Sequence, residues 1–427
     1  MFIDQHQKTL TLKDWLHYLE SFHANDVTLG LHRVTTVAAR LGVLEWDLPI
    51  ITVAGTNGKG STVAALEAIY CAAGYQVASY TSPHLIAFNE RIRVNQCSIS
   101  DDDLCMAFMA MASARGDTPL TYFEMTTIAA LWHFKQCSLD VILLEVGMGG
   151  RWDATNIIDS DVAIITTIDF DHQAHLGHTL EAIGYEKAGI LRNNQPWVYG
   201  DVHPPVSILT EAMRLNTTQY QLGVDYSFQV NNNDWLLNLP CGQEISLPLP
   251  KINLKSAAAA IVASQCLQGD LSVTQTHLEC ALREVSMVGR QQVVVGSTTT
   301  ILDVSHNPQA VVLLAEFVRQ SVPKGRVHAI FSGLKDKDLS GLIQPMLCCV
   351  DVWYPCLLSG PRAASESQIM GAFPEDNGFV MACFPEPLKA YDEALQRAGS
   401  DDLIVVYGSF LTVSAIIVGD GIAQENE

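Results

Sequence analysis

The sequence predicts an α/β protein of two domains, a mostly parallel sheet domain followed by a smaller, Rossmann-like α/β domain. Three observations carry this. The chain has 427 residues, more than one hydrophobic core usually serves. Its apolar runs Ile50–Ala54, Val77–Tyr80, Val141–Leu144 and Val162–Ile168 lack polar alternation, as strands buried on both faces do. Helical stretches such as Met125–Phe134 separate these runs, which places helices beside a parallel sheet.

Taken in order, residues 11–42 read as helical, with Leu12, Trp15, Leu16 and Leu19 on one face and Val34, Val37, Ala38 and Leu41 on another. Ile50–Ala54 then meets a Gly-rich turn that runs into an Ala-rich segment, Thr62–Ala73; this is strand, loop, helix. From about Pro196 to Pro250, Tyr, Gln, Asn and Thr alternate with apolar residues, as in Tyr226-Ser-Phe-Gln-Val230, which suits antiparallel strands. Residues 255–268 and 275–285 read as helices. A boundary is expected near Val285–Gln291, dividing the chain into 1–288 and 289–427. Beyond it come strands at Val293–Val295, Thr300–Val304, Val327–Phe331, Val350–Tyr354 and Leu403–Tyr407, with a helix over Ala310–Arg319.

Apolar residues make up 48% of the chain and charged residues 17%, a globular composition. The net charge of −21 repels phosphate backbones and anionic lipids, which argues against nucleic-acid and membrane partners. Eleven cysteines without a C-x-x-C fit a reduced compartment better than a disulfide scaffold or zinc ribbon. The opening MFIDQHQKTL lacks the basic region and apolar core of a signal peptide, and no apolar run reaches the ~18 residues of a membrane span. A cytoplasmic protein is expected.

Gly55-Thr56-Asn57-Gly58-Lys59-Gly60-Ser61 lies at a strand–helix junction. Phosphate needs backbone N–H groups facing one way, which glycines permit, and the positive end of a helix dipole. Lys59 supplies a cation for the β/γ-phosphates, and Ser61 or Thr62 a hydroxyl near Mg²⁺. The spacing departs from G-x-x-x-x-G-K-[ST] in having a glycine after the lysine. A capped core helix is the bland alternative; a P-loop-containing, ATP-binding domain is the stronger one. Gly147-Met-Gly-Gly150 is not a dinucleotide fingerprint, because Trp152 stands where the third glycine belongs.

Further motifs are Thr81-Ser-Pro-His-Leu, Phe88-Asn-Glu-Arg-Ile-Arg93, Leu120-Thr-Tyr-Phe-Glu124, Glu145-Val-Gly-Met-Gly-Gly-Arg-Trp-Asp-Ala-Thr-Asn156, Asp171-His-Gln-Ala-His-Leu-Gly177, Glu186-Lys-Ala-Gly-Ile190, Asp303-Val-Ser-His-Asn-Pro308, Asp336-Lys-Asp338 and Gly408-Ser-Phe-Leu-Thr-Val413. With the variant loop they make the chain, from about residue 12 to 414, resemble the bifunctional dihydrofolate synthase/folylpolyglutamate synthase family, the folate branch of the Mur ligase superfamily. The resemblance implies an ATP-dependent ligase with its active site in a cleft between two domains. A substrate carboxylate is phosphorylated and the acyl phosphate is attacked by the amine of L-glutamate. Dihydropteroate and reduced folates are the implied acceptors, ATP and two Mg²⁺ the implied cofactors, and a monomer the implied state.

The resemblance assigns roles residue by residue. Thr56, Asn57, Gly58, Lys59, Gly60 and Ser61 would hold ATP, with Ser256, Arg290, Asp303 and His306 completing its site. Ser61, Ser82, Glu145, His172 and a carbamylated Lys187 would hold the metals; Lys59, Glu145, His172 and Lys187 would carry the chemistry. Thr28, Leu29, Thr121, Tyr122, Phe123, Glu124, Trp152, Asp153 and Ala154 match the pterin-side pocket. From the residues alone, Glu145 is a carboxylate ending an apolar strand, or a helix N-terminal charge. Ser82 equally suits a turn before Pro83, His172 by its chemistry suits a softer ion than Mg²⁺, and Lys187 equally suits an ordinary ion pair. Tyr122 and Phe123 offer a stacking face or a core. One departure stands out: Ser256 replaces the family's adenine-reading Asn, and a hydroxyl cannot supply an amide's donor–acceptor pair. Asn253, one turn earlier, is the candidate substitute.

Overall fold

The computed structural model describes residues 10–21, 30–232, 234–321, 324–375 and 379–421. The chain divides into two compact units, Met1–Ser286 and Met287–Glu427.

In the first unit the strands are β1 (Ile50–Ala54), β2 (Val77–Tyr80), β3 (Ile92–Val94), β4 (Cys97–Ser98), β5 (Val141–Glu145), β6 (Val162–Ile165), β7 (Pro196–Tyr199) and β8 (Thr218–Gln221), then β9 (Ser227–Val230), β10 (Asp234–Asn238) and β11 (Glu244–Pro248). The helices are α1 (Leu12–Glu20), α2 (His32–Leu41), α3 (Lys59–Ala72), α4 (Asp101–Arg115), α5 (Tyr122–Phe134), α6 (Gln173–Leu176), α7 (Leu180–Lys187), α8 (Val206–Arg214), α9 (Leu254–Cys266) and α10 (Gln275–Glu284). The helical reading of residues 11–42 thus resolves into two helices. α1 opens on a Thr11–Asp14 capping box, and α2 stops at left-handed Gly42.

Eight strands form one sheet in the order β4-β3-β2-β5-β1-β6-β7-β8. The pairings from β2 through β8 are parallel, and only the β2-β3-β4 edge is antiparallel. β1, β2, β5 and β6 are buried along their whole length, which is why their sequences run apolar without alternation. Two expectations need correction. The strand Val162–Ile168 ends at Ile165, because Thr166 and Thr167 leave the ladder to bond the Gly-rich loop. Of the antiparallel segment expected from Pro196 to Pro250, the part to Gln221 joins the parallel sheet as β7 and β8; only β9-β10-β11 forms an antiparallel sheet. Gln219 and Gln221, polar but half-buried, bond each other and the Val202 carbonyl, so β8 is polar for edge reasons.

One apolar core brings Trp15, Val34, Val37, Phe108, Ile128 and Phe134 from α1, α2, α4 and α5 against the sheet. A second gathers Ile165, Ile183, Trp197, Tyr199 and Ile208, where α7 and α8 cover β6 and β7. α3 packs between the sheet and α9 and α10; its all-round apolar character matches burial from Ser61 to Tyr70.

The second unit carries β12 (Gln292–Val294), β13 (Thr299–Leu302), α11 (Pro308–Gln320), β14 (Val327–Phe331), α12 (Leu339–Ile343), β15 (Val352–Pro355), α13 (Glu366–Met370), β16 (Phe379–Val380), α14 (Pro387–Arg397), β17 (Leu403–Tyr407) and α15 (Phe410–Asp420). Its sheet runs β12-β13-β17-β14-β15-β16, parallel except for the β12–β13 edge. Phe331, Trp353, Tyr407, Leu342 and Val318 lie in its core. Among the described residues no helix is long and apolar enough to cross a membrane.

Candidate active site

The chain leaves β1 for β2 on one side of the sheet and returns for β6 on the other. The carboxyl end of β1 is therefore where a crevice forms, and the Gly-rich loop sits there. Gly55 has φ +148°, and a Cβ on it would lie 1.8 Å from Thr166 Oγ1. Gly58 takes φ +87°, with Ser256 Oγ 2.9 Å from where its Cβ would be. Neither position tolerates a side chain.

The segment after β6 braces this loop. Thr56 N–H donates to Thr167 O (2.8 Å), Asn57 N–H to Thr167 Oγ1 (3.1 Å), and Thr166 Oγ1 to Asn57 O (2.6 Å). Asp169 N–H donates to Thr56 Oγ1 (3.0 Å). Thr62 Oγ1 donates to Gly58 O (2.9 Å) and Ser256 Oγ reaches the same carbonyl at 3.4 Å. Ser61 and Ser256 are buried, and Gly60 opens the first turn of α3. Loop carbonyls are thus bound from behind.

Two lysines converge on the loop. Lys59 Nζ donates to Gly55 O (3.0 Å) and Thr56 O (3.2 Å), and Lys187 Nζ donates to the same Gly55 O at 2.8 Å. Lys187 is buried at the end of α7. Burial, and then the Lys59 charge, bring its pKa down to about 7, with Asp171 and Asp153 opposing the fall. The Met148–Asp153 loop packs onto this helix end: Arg151 N–H donates to Glu186 O (2.8 Å), and a Cβ at Gly150 would meet Glu186 O at 2.9 Å.

Glu145 is the last residue of β5, paired with Val53 of β1, and is buried. Its Oε2 accepts the N–H of Ser82 (3.1 Å), the second residue beyond β2. Neighbouring strand ends thus bring Ser82, Glu145 and the loop together. His172 follows Asp171 in a left-handed conformation, φ +50°, a strained setting for a non-glycine residue. Its Nε2 is 3.7 Å from Asp171 Oδ2. Among the described residues no three His, Cys, Asp or Glu side chains cluster as a metal cage. A buried carboxylate beside a serine and a phosphate loop still fits Mg²⁺, which prefers one or two carboxylates, phosphate oxygens and retained waters.

On the substrate side, Thr121 and Glu124 form a reciprocal capping box on α5, and Glu124 Oε1 also accepts Arg33 Nη2 at 3.0 Å. Their polar atoms hold the helix start, and with it Tyr122 and Phe123. The Phe123 ring lies over Gly147, whose Cβ would come within 2.5 Å of it, and 5.9 Å from Tyr80. Tyr122 packs on Phe88 (6.3 Å). Asp153 is buried, accepting Met148 N–H, Thr155 N–H and Thr155 Oγ1, and burial raises its pKa. Trp152 is 46% exposed while Ala154 is buried. Thr28 and Leu29 lie outside the described residues. Asn253 caps α9, its Oδ1 accepting Lys255 N–H (2.9 Å).

In the second unit, Asp303 follows β13. Its carboxylate accepts Gln291 N–H and Ser305 N–H (2.8 Å each) and the Ser305 hydroxyl. His306 Nδ1–H donates to Val304 O (3.0 Å) and its ring lies 5.6 Å from Phe410; the Arg290 guanidinium stands over the same ring at 5.1 Å. Phe410, at the start of α15, organises these two residues, though its motif alone assigned it no task. Sequence reasoning also passed over Thr166, Thr167 and Arg33, whose signal is purely three-dimensional, and the Arg91 Nε–His84 Nδ1 bond (2.9 Å) behind Ser82.

Comparison with known proteins gives this geometry its family. Residues 53–199 match the Mur ligase middle domain, and residues 289–410 the Mur ligase, glutamate ligase domain. The dihydrofolate synthase/folylpolyglutamate synthase of Escherichia coli (strain K12) is 41% identical over 411 residues, 96% of each chain. The solved structure of E. coli FolC in complex with DHPP and ADP aligns with TM-score 0.92 at 39% identity, covering 98% of this chain and 99% of that one. A bifunctional folylpolyglutamate synthase/dihydrofolate synthase with Mn, AMPPNP and L-glutamate bound aligns with TM-score 0.89 at 40% identity, covering 97% and 98%. Fold, loop and near-complete coverage agree: the chain belongs to the dihydrofolate synthase/folylpolyglutamate synthase family of Mur ligases, ATP-dependent enzymes that add glutamate to folate substrates.

Proposed function

We propose that this chain joins L-glutamate to dihydropteroate and to reduced folates through an acyl phosphate, and that the residues around the Gly-rich loop carry the chemistry. The observation that supports it most is the convergence of Lys59 and Lys187 on Gly55 O beside the Glu145–Ser82 pair. The N–H groups of residues 58–61 and the Lys59 side chain hold the β/γ-phosphates, so the γ-phosphoryl is fixed for in-line attack by the folate carboxylate. Ser61, Ser82, Glu145 and His172 would hold Mg²⁺ at two sites, and the bound metal would supply charge neutralisation for the transferring phosphoryl group. Glutamate's amine then attacks the acyl carbon, phosphate leaves, and the amine's proton passes to solvent or a nearby base.

Lys187 is proposed to act as its carbamate. Only a neutral amine attacks CO₂, and a lysine brought down to about pKa 7 supplies one near neutral pH. Arg290 is assigned to phosphate and Asp303 to the ribose hydroxyls, His306 to the same nucleotide site. Ser256 is spent on the loop carbonyl of Gly58 and Asn253 on capping. Phe123 and Trp152 offer faces for the pterin, positioned by Thr121, Glu124, Asp153 and Ala154. The test is ADP release from Mg-ATP, L-glutamate and either dihydropteroate or tetrahydrofolate. Release that depends on both co-substrates is expected; hydrolysis indifferent to them overturns the reading.

A further inference from the structure

The sheet of the second unit has two ends, and the Asp303 loop and the Gly408 turn leave from the carboxyl end. At the amino end a cavity of about 610 Å³ opens, lined by Arg326, His328, Asp351, Val352, Tyr354, Phe379 and Arg397. β13, β14, β15 and β17 run parallel, so the five residues of β14 separate the two ends by roughly 16 Å. The cavity is therefore not part of the nucleotide chemistry assigned to Asp303 and His306.

Its charges are arranged unevenly. The nearby carboxylates spend oxygens on the starts of strands: Asp351 Oδ2 accepts Val327 N–H (2.8 Å), and Asp402 accepts Arg326 N–H (2.6 Å) and Gly399 N–H (2.7 Å). Glu393 takes only Nε of Arg397 (2.6 Å), leaving its outer nitrogens. The exposed Arg326 guanidinium has no ion pair or hydrogen bond among the described residues. His328 is 2% exposed; its Nδ1 bonds Tyr354 OH (2.9 Å), while Nε2 stands 3.4 Å from Asp402 Oδ2 without the alignment of a hydrogen bond. A buried ring nitrogen left unsatisfied is costly. Beside these polar groups the Phe379 ring is 60% exposed, an apolar flat face next to two guanidinium groups.

We propose that this cavity binds a small organic anion, a carboxylate or phosphate head on a flat apolar body. Arg326 and Arg397 take the head through charge-assisted, fork-shaped contacts, and the body lies along Phe379 and Val352. In a chain of net charge −21 such a site works only through local cations, so its occupancy falls as salt rises.

Phenyl phosphate is a suitable probe, titrated calorimetrically into the full chain already saturated with Mg-AMPPNP. One site is expected, persisting with nucleotide bound. Arg326→Gln and Arg397→Gln should each weaken it about tenfold or more, the loss of one charge-assisted hydrogen bond. Phe379→Ala should weaken phenyl phosphate while leaving inorganic phosphate unchanged. All three side chains are exposed, and an unaltered melting temperature checks that each variant folds. No binding at about 10 mM probe, binding indifferent to both arginine substitutions, or binding abolished by nucleotide each overturns the proposal.

Discussion

Replacing Lys187 with methionine should make the protein more stable in mild acid while destroying its activity. Below about pH 7 the lysine is protonated in both the folded and unfolded chains, and the folded state carries the full cost of a cation buried beside Lys59. Between pH 7 and the usual 10.5 only the unfolded chain holds the proton, so wild-type stability climbs with pH. Each pH unit across that window is worth about 1.4 kcal/mol, so the whole cost is roughly 5 kcal/mol. Losing the bond to Gly55 O returns about 1–2 kcal/mol of this. Lys187→Met should therefore exceed wild type by about 3 kcal/mol at pH 6, and by almost nothing at pH 9. Urea denaturation in CO₂-free buffer at the two pH values measures it. A difference between the proteins that does not change with pH would refute the argument. Activity of the variant at wild-type level would separately refute the proposed role, whereas partial recovery with added short carboxylic acids would support the carbamate.

Thr166→Val removes the hydroxyl that bonds Asn57 O (2.6 Å) and Ala54 O (3.3 Å). ATP affinity should fall about tenfold, for ~1–3 kcal/mol of unsatisfied loop carbonyl, with Thr166→Ser largely restoring it. Gly147→Ala sets a methyl 2.5 Å from the Phe123 ring. Turnover with either folate should drop by about 100-fold from misplacement while nucleotide affinity, read by thermal shift, stays level. Arg33→Met leaves the buried Glu124 carboxylate without its 3.0 Å partner; the denaturation midpoint should fall by the equivalent of about 1–3 kcal/mol.

What the sequence disclosed followed from how local each signal is. β1, β2, β14 and β17 could be read residue for residue, because strands buried on both faces run mostly apolar without alternation. The loop Gly55–Ser61 was legible because its glycines occupy conformations that nearby side chains forbid. α4, α7, α8, α14 and α15 went unread: α4 and α7 have little amphipathic contrast, since their surroundings rather than their own period decide burial. The polar β8 looked antiparallel because an edge strand needs no apolar face. Thr166, Arg33 and Phe410 were invisible for another reason. Their partners lie 109, 91 and more than 100 residues away, and a contact across such distance leaves no pattern in one chain.

The bond from Ser256 to Gly58 O spans 198 residues. During synthesis the phosphate loop is made early, yet the serine behind it emerges only with α9. Thr166, Thr167 and Lys187 brace the loop before then, so this last contact to Gly58 O closes only when most of the first unit exists, and nucleotide meets the finished cradle only then. Tight ATP binding then reports completion, and a ligand that binds only the finished state also holds it there by mass action. A chain cut after β8 but before α9 keeps the whole motif and its Thr166 brace, and should bind nucleotide more weakly than the complete first unit.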